Sequence, residues 1–135
     1  MKMLLLDTNI ISYYQRNDSR AKKYDRHIAG YELAISSMTV AELYQWAAVH
    51  KWGVRRINEL EHKLEKNYTH LSIDWETCRL WRIIRAECRA IGHTISPQDA
   101  WIAATARRYD LPLVTHNLAD FTPVRGLRVI TEVKS

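Results

Sequence analysis

Met3-Leu4-Leu5-Leu6-Asp7-Thr8-Asn9 decides how the chain is read. Four apolar residues in a row, ended by an acid, suit a short strand buried on both faces, as in a parallel sheet. An aspartate at the carboxyl end of such a strand stands where parallel α/β sheets place their ligands. The run is too short for a secretory signal, which needs an apolar stretch of roughly 7–15 residues and a small-residue cleavage site. The segment therefore reads as the first strand of a cytoplasmic protein.

Working outward, further strand-like runs occur at Leu33–Ser36, His70–Ile73, Leu113–Thr115 and Leu127–Ile130. Helical patterns fill 19–29, 40–52, 54–68, 74–91 and 97–109. Alternation of this kind predicts an α/β fold, a parallel sheet of four to five strands with helices on both faces. The 135 residues fit a single domain over 1–135, and 47% hydrophobic content is enough to build its core. No apolar run approaches the roughly 20 residues that cross a bilayer, so no membrane association is expected. Cys78 and Cys88 fall on one helical stretch, too far apart to pair, and read as reduced thiols. A net charge of +5 favours polyanions, although many basic proteins bind no nucleic acid.

Within 74–91, Trp81, Ile84, Cys88 and Ile91 recur at helical spacing and are expected in the core. Arg79, Arg82, Arg85 and Arg89 form a second stripe, with Glu87 the one acid nearby to offset them. A stripe of one sign points to RNA phosphate or an acidic partner segment rather than a solvated face. The five tryptophans, Trp46, Trp52, Trp75, Trp81 and Trp101, are expected as core or interface anchors, with base stacking the lesser alternative.

The acids follow a pattern. Asp7 ends the first strand. Thr39-Val40-Ala41-Glu42, Ser96-Pro97-Gln98-Asp99 and Asn117-Leu118-Ala119-Asp120 each resemble a capping box, with an acid three residues after the cap. Any one of them alone is more often a helix cap than a ligand. Together, at strand-to-helix junctions along one sheet edge, all four acids are placed to converge. Converging carboxylates need a proton or a cation. Oxygen ligands alone suit Mg2+ or Mn2+, which activate water for attack on a phosphodiester.

The ordered set Asp7-Thr8-Asn9, Thr39-Val40-Ala41-Glu42-Leu43, Pro97-Gln98-Asp99-Ala100, Ile102–Ala106 and Leu113–Phe121 resembles the motifs of PIN-domain proteins. The closing Val124-Arg125-Gly126-Leu127-Arg128-Val129 is similar to the VapC toxin subgroup of VapBC toxin–antitoxin systems. The resemblance implies a three-layer α/β/α fold, a Mg2+- or Mn2+-dependent endoribonuclease, RNA as substrate, a cognate VapB-type antitoxin and a homodimer. It carries Asp7, Glu42 and Asp99 over as the acidic triad. The family often has an acid where Asn117 stands, so Asp120 is expected to supply the fourth carboxylate, with Asn117 as an amide ligand. Thr8, Asn9 and Thr115 match positions that would orient carboxylates or waters. The rival from another class is a catalytically silent nucleic-acid or partner-binding module, against which the intact triad argues. A phosphoacceptor signalling domain would want a second acid beside Asp7 and a late-strand Lys; Leu6 and Val114-Thr115-His116 supply neither.

Overall fold

The computed structural model describes residues 2–134. Its sheet is parallel throughout: β1 (Met3–Leu6), β2 (Glu32–Ser36), β3 (Thr69–Leu71), β4 (Leu113–Val114) and β5 (Val129–Ile130), in the order β3-β2-β1-β4-β5. The helices are α1 (Thr8–Gln15), α2 (Asp25–Ile28), α3 (Ser37–Val49), α4 (Val54–Asn67), α5 (Trp75–Ala90), α6 (Pro97–Arg108) and the single turn α7 (Leu118–Phe121). A 3-10 helix, Ser19–Tyr24, leads into α2.

Strand alternation sorts the core into two layers. Leu5, Ala34 and Leu113 face α5 and α6, where they meet Ile84, Cys88, Ile102 and Ala103. Leu4, Leu6, Ile35 and Val114 face the other way, against Ile10, Ile11, Leu43, Leu60 and Leu64 of α1, α3 and α4. Helices thus cover both faces, as the sequence predicts. Strand order reverses between β1 and β4, so the crevice beyond their carboxyl ends is the ligand position of the fold. No helix among the described residues is long and apolar enough to cross a membrane.

Several elements differ from the sequence-based expectation. The stretch after Asp7 is a helix, α1, capped by Asp7 itself. Its Ile10, Ile11 and Tyr13 have weak helix propensity; burial against the sheet supplies what propensity lacks. The helix expected over 19–29 is a 3-10 turn followed by one α turn. The helix expected from 40 begins at Ser37, because Ser36 is the N-cap and its hydroxyl accepts the Thr39 N–H at 3.1 Å. Thr39 therefore lies inside the helix, with Glu42 one turn further on, and the two do not form a capping box. Ile91 is no core residue: it caps the end of α5 and is 59% exposed.

Candidate active site

Asp7 is the most deeply buried of the candidate acids. It is 4% exposed, at the end of the central strand β1. The register that pairs Leu6 with Val114 sets Thr115 beside it. The Thr115 hydroxyl donates to Asp7 Oδ2 at 2.7 Å, and Asn9 Nδ2 donates to the same oxygen at 3.2 Å. The Thr8 N–H donates to Oδ1 at 2.8 Å. Burial nevertheless dominates and pushes the carboxyl up to about 6; the donors from Thr115 and Thr8 pull the other way, and the charges of Asp99 and Glu42 raise it further.

Glu42, half-buried on α3, takes a hydrogen bond from the Thr8 hydroxyl at 3.1 Å. Behind it runs a chain of hydroxyls: Thr8 Oγ1 lies 2.9 Å from Thr39 Oγ1, and Ser36 Oγ lies 3.1 Å from Thr39 Oγ1. Ionised Glu42 offers no proton, so Thr8 donates to it. Thr8 must then accept from Thr39, and Thr39 from Ser36. The proton order is fixed from a buried cap to a carboxylate in the cleft. Burial raises the Glu42 pKa, assisted by the charge of Asp99, while the Thr8 bond lowers it.

Asp99 is in the first turn of α6, after Pro97 at its first position; the Ser96 hydroxyl accepts the Asp99 N–H at 3.1 Å. Its pKa is raised, first by burial and then by the charge of Asp120. Asp7, Glu42, Asp99 and Asn117 line one cleft of about 280 Å³ with Thr8, Asn9, Ser12, Tyr13 and Arg16. Asp120 is exposed and outside that lining; its charge still reaches Asp99. Asn117 precedes α7 but makes no side-chain cap, and its N–H donates to Thr115 Oγ1 at 3.0 Å. Among the described residues, no three His, Cys, Asp or Glu side chains are gathered closely enough to hold a metal ion as they stand. The acids line an open cleft.

The four arginines of α5 are all exposed. Arg79 pairs with Glu76 at 2.6 Å, and Arg85 lies over the Trp81 ring. Glu87, the expected offset to the stripe, instead sits near Arg107 and Arg125. The Trp81 indole donates to the Pro97 carbonyl at 3.1 Å, which brings this part of α5 alongside the start of α6 and Asp99. Ser12, Tyr13 and Arg16 stand in no motif of the sequence; they reach the cleft from α1 and its C-cap, and only the helical periodicity that follows Asp7 points to them.

The PIN domain family profile matches residues 4–125. Ribonuclease VapC2 of Haemophilus influenzae is 35% identical over 129 residues, covering 95% of this chain and 96% of its own length. The tRNA(fMet)-specific endonuclease VapC of Shigella flexneri is 30% identical over 128 residues, with 95% and 96% covered. In fold, VapBC2 from Rickettsia felis bound to a DNA fragment from their promoter matches with a TM-score of 0.83 at 22% identity, over 97% of this chain and 99% of that one. The matched span holds Asp7, Glu42 and Asp99, and the chain belongs to the PIN-domain family, among the VapC ribonuclease toxins of toxin–antitoxin systems.

Proposed function

We propose that this chain, one PIN domain over its length, hydrolyses RNA phosphodiesters internally with Mg2+ or Mn2+ held by Asp7, Glu42 and Asp99, and with Asn117 and Asp120 at the rim. One observation carries the reading. Three carboxylates from three separate junctions share a cleft in which burial raises the pKa of each, and a neighbouring carboxylate charge adds to it: Asp99 and Glu42 on Asp7, Asp99 on Glu42, and Asp120 on Asp99. Such a cluster favours whatever neutralises it. Its donors are oxygens, with no thiol or imidazole in the lining, and fit a hard divalent cation. When bound, such an ion supplies Lewis acidity to a phosphoryl oxygen and acidifies a water.

The residues themselves do the positioning. Asp7 Oδ2 already accepts two donors and Oδ1 one, so Oδ1 is the oxygen left for the ion. Glu42 Oε1 is tied to Thr8, which leaves Oε2 for the cleft. Asn9 bridges Asp7 and the His116 N–H, holding the β1 and β4 ends together. Arg16 on the cleft wall and the exposed Arg79, Arg82, Arg85 and Arg89 along α5 would meet substrate phosphate.

Relatives support the wider setting. One is named for a tRNA substrate, and VapBC from Salmonella typhimurium was solved as a complex on DNA. By analogy this chain acts on structured RNA in the cytoplasm and is silenced by a VapB-type antitoxin. Exposed Trp75, Ile83 and Ile91 along α5 support a homodimer. The test is cleavage of end-labelled structured RNA in Mg2+ or Mn2+, abolished by EDTA and restored by added metal. Undiminished cleavage in EDTA overturns the metal reading.

A further inference from the structure

Beside the carboxylate cleft lies a second cavity of opposite character. About 250 Å³ in size, it is walled by Ser12, Arg16, Trp46, Trp52 and Arg56, among others, and no acid lines it. Ser12 and Arg16 belong to both walls, so the two spaces meet edge to edge. Trp46 is 41% exposed although large and apolar. Its indole packs against Trp52 in a T-shaped arrangement, 5.2 Å between ring centres at 84°, and Arg56 lies 3.8 Å over the Trp52 ring. The His50 imidazole stacks on Trp46 at 4.0 Å and 27° from outside the pocket wall. A flat heteroaromatic ring thus already stacks on this indole, inclined by 27°.

We propose that this pocket receives an unpaired base of the RNA substrate, next to the phosphate held at the carboxylates. The inference rests on the ribonuclease reading above. A ligand that spans both spaces must bring a cation-bound phosphate to the acids and a planar ring to the indoles. A nucleotide does both. Arg16, on the shared wall, meets the negative backbone between them. Aromatic side chains in a positive groove are the general solution for single-stranded nucleic acid, because every base has a stacking face. The cavity is small against pockets for drug-sized ligands, roughly 300–1,000 Å³, and suits one base. Beyond Trp52 and Arg56 it opens into a third space of about 410 Å³ lined by Tyr14, Asn17, Lys63 and Tyr68, where the strand continues.

The test uses Asp99→Asn protein, to block cleavage, with a fluorescently labelled single-stranded RNA and Mn2+. Adding Trp46→Ala is expected to weaken binding about ten-fold, the order that stacking of one base carries, and Trp46→Phe to restore most of it. Oligonucleotides with one abasic position, scanned along the strand, should lose affinity at a single position in the Trp46 protein. The Trp46→Ala protein should not feel that change. Unaltered affinity in Trp46→Ala, with RNA still bound by Trp46 protein, overturns the base pocket and leaves the nuclease reading standing. The same follows if Trp46→Ala instead weakens only capture of the co-expressed antitoxin. If the Trp46 protein binds no RNA at all, the nuclease reading falls with it.

Discussion

Thr8 holds Asp7 with its backbone and Glu42 with its side chain: the N–H donates 2.8 Å to Asp7, and the hydroxyl donates 3.1 Å across 34 residues of sequence to Glu42. One residue thereby fixes the distance between two acids that repel each other. Its hydroxyl also ends the chain that starts at Ser36, so the β2–α3 junction and the β1 end are locked together through a single oxygen.

Thr8→Val keeps the shape and removes that oxygen. The Thr39 hydroxyl, fully buried, then loses its acceptor, at a cost of about 1–3 kcal/mol. Urea unfolding should show that loss, and RNA cleavage should need more metal for half-maximal rate. Thr8→Ser should restore both. Valine behaving as wild type would remove the relay from the account.

Asp7 gives the apo protein a pH signature. Its folded pKa of about 6 stands above the ordinary 3.8, so the native state holds more protons between those values. The contribution of Asp7 to stability is therefore fully present below about pH 4 and is lost as pH rises through 6, about 3 kcal/mol for a shift of this size. Glu42 and Asp99, also raised, add to the same slope. Asp7→Asn should flatten much of it. At pH 8 the variant should be more stable than wild type by about 1–2 kcal/mol, since one lost hydrogen bond of about 1 kcal/mol offsets part of the gain. It should cleave no RNA. An equal slope in variant and wild type would contradict the assignment.

Metal should reverse that dependence. A cation binds ionised Asp7, so Mn2+ stabilises most above pH 6 and loses effect as protons compete below it. At a hundred times Kd the stabilisation is about 2.7 kcal/mol. Melting curves at pH 5 and pH 8 with millimolar Mn2+ check this; a metal effect equal at both values would place the ion elsewhere.

Asp120 and Asn117 divide the rim. Asn117 lines the cleft, while exposed Asp120 acts on Asp99 through charge. Asp120→Asn should raise the Mg2+ needed for half-maximal cleavage several-fold while the fold survives, and Asn117→Ala should do less. Normal cleavage at low Mg2+ in Asp120→Asn would reduce the site to three carboxylates.

Arg82 and Arg85 are exposed on α5, and Arg85 lies over the ring of Trp81, whose indole reaches the start of α6. Replacing both with Ala should weaken RNA binding and lower the slope of log affinity against log salt by about one unit per lost phosphate contact. An unchanged slope would return the stripe to a solvated face.

Much of this molecule was legible in its sequence because the signals are local. Met3–Leu6 reads as a strand from apolar residues alone, and Ser96-Pro97-Gln98-Asp99 specifies its own cap. The start of α3 was not legible. Ser36 and Thr39 are both plausible caps three residues apart, and the choice falls to the pairing of Ser36 with Leu71 on β3, a contact that local pattern does not reveal. The α1 segment is helical because the sheet buries Ile10 and Ile11, against their propensity. Trp46 and Trp52 read equally as packing anchors; only the fold shows their wall meeting Ser12 and Arg16.

The central position of β1 has a consequence for when the toxin becomes dangerous. Its partner β4 arrives over a hundred residues later in the chain, and Thr115, which grips Asp7, follows β4. Until the crossover to β4 closes, Asp7 lacks the Thr115 hydroxyl, its shortest donor. A nascent or partly folded chain thus carries all its acids but no assembled site. Contacts this distant in sequence form late and slowly. RNA cleavage becomes a readout of completed folding, and a partner that captures the chain before β4 docks could keep it harmless without touching a single acid.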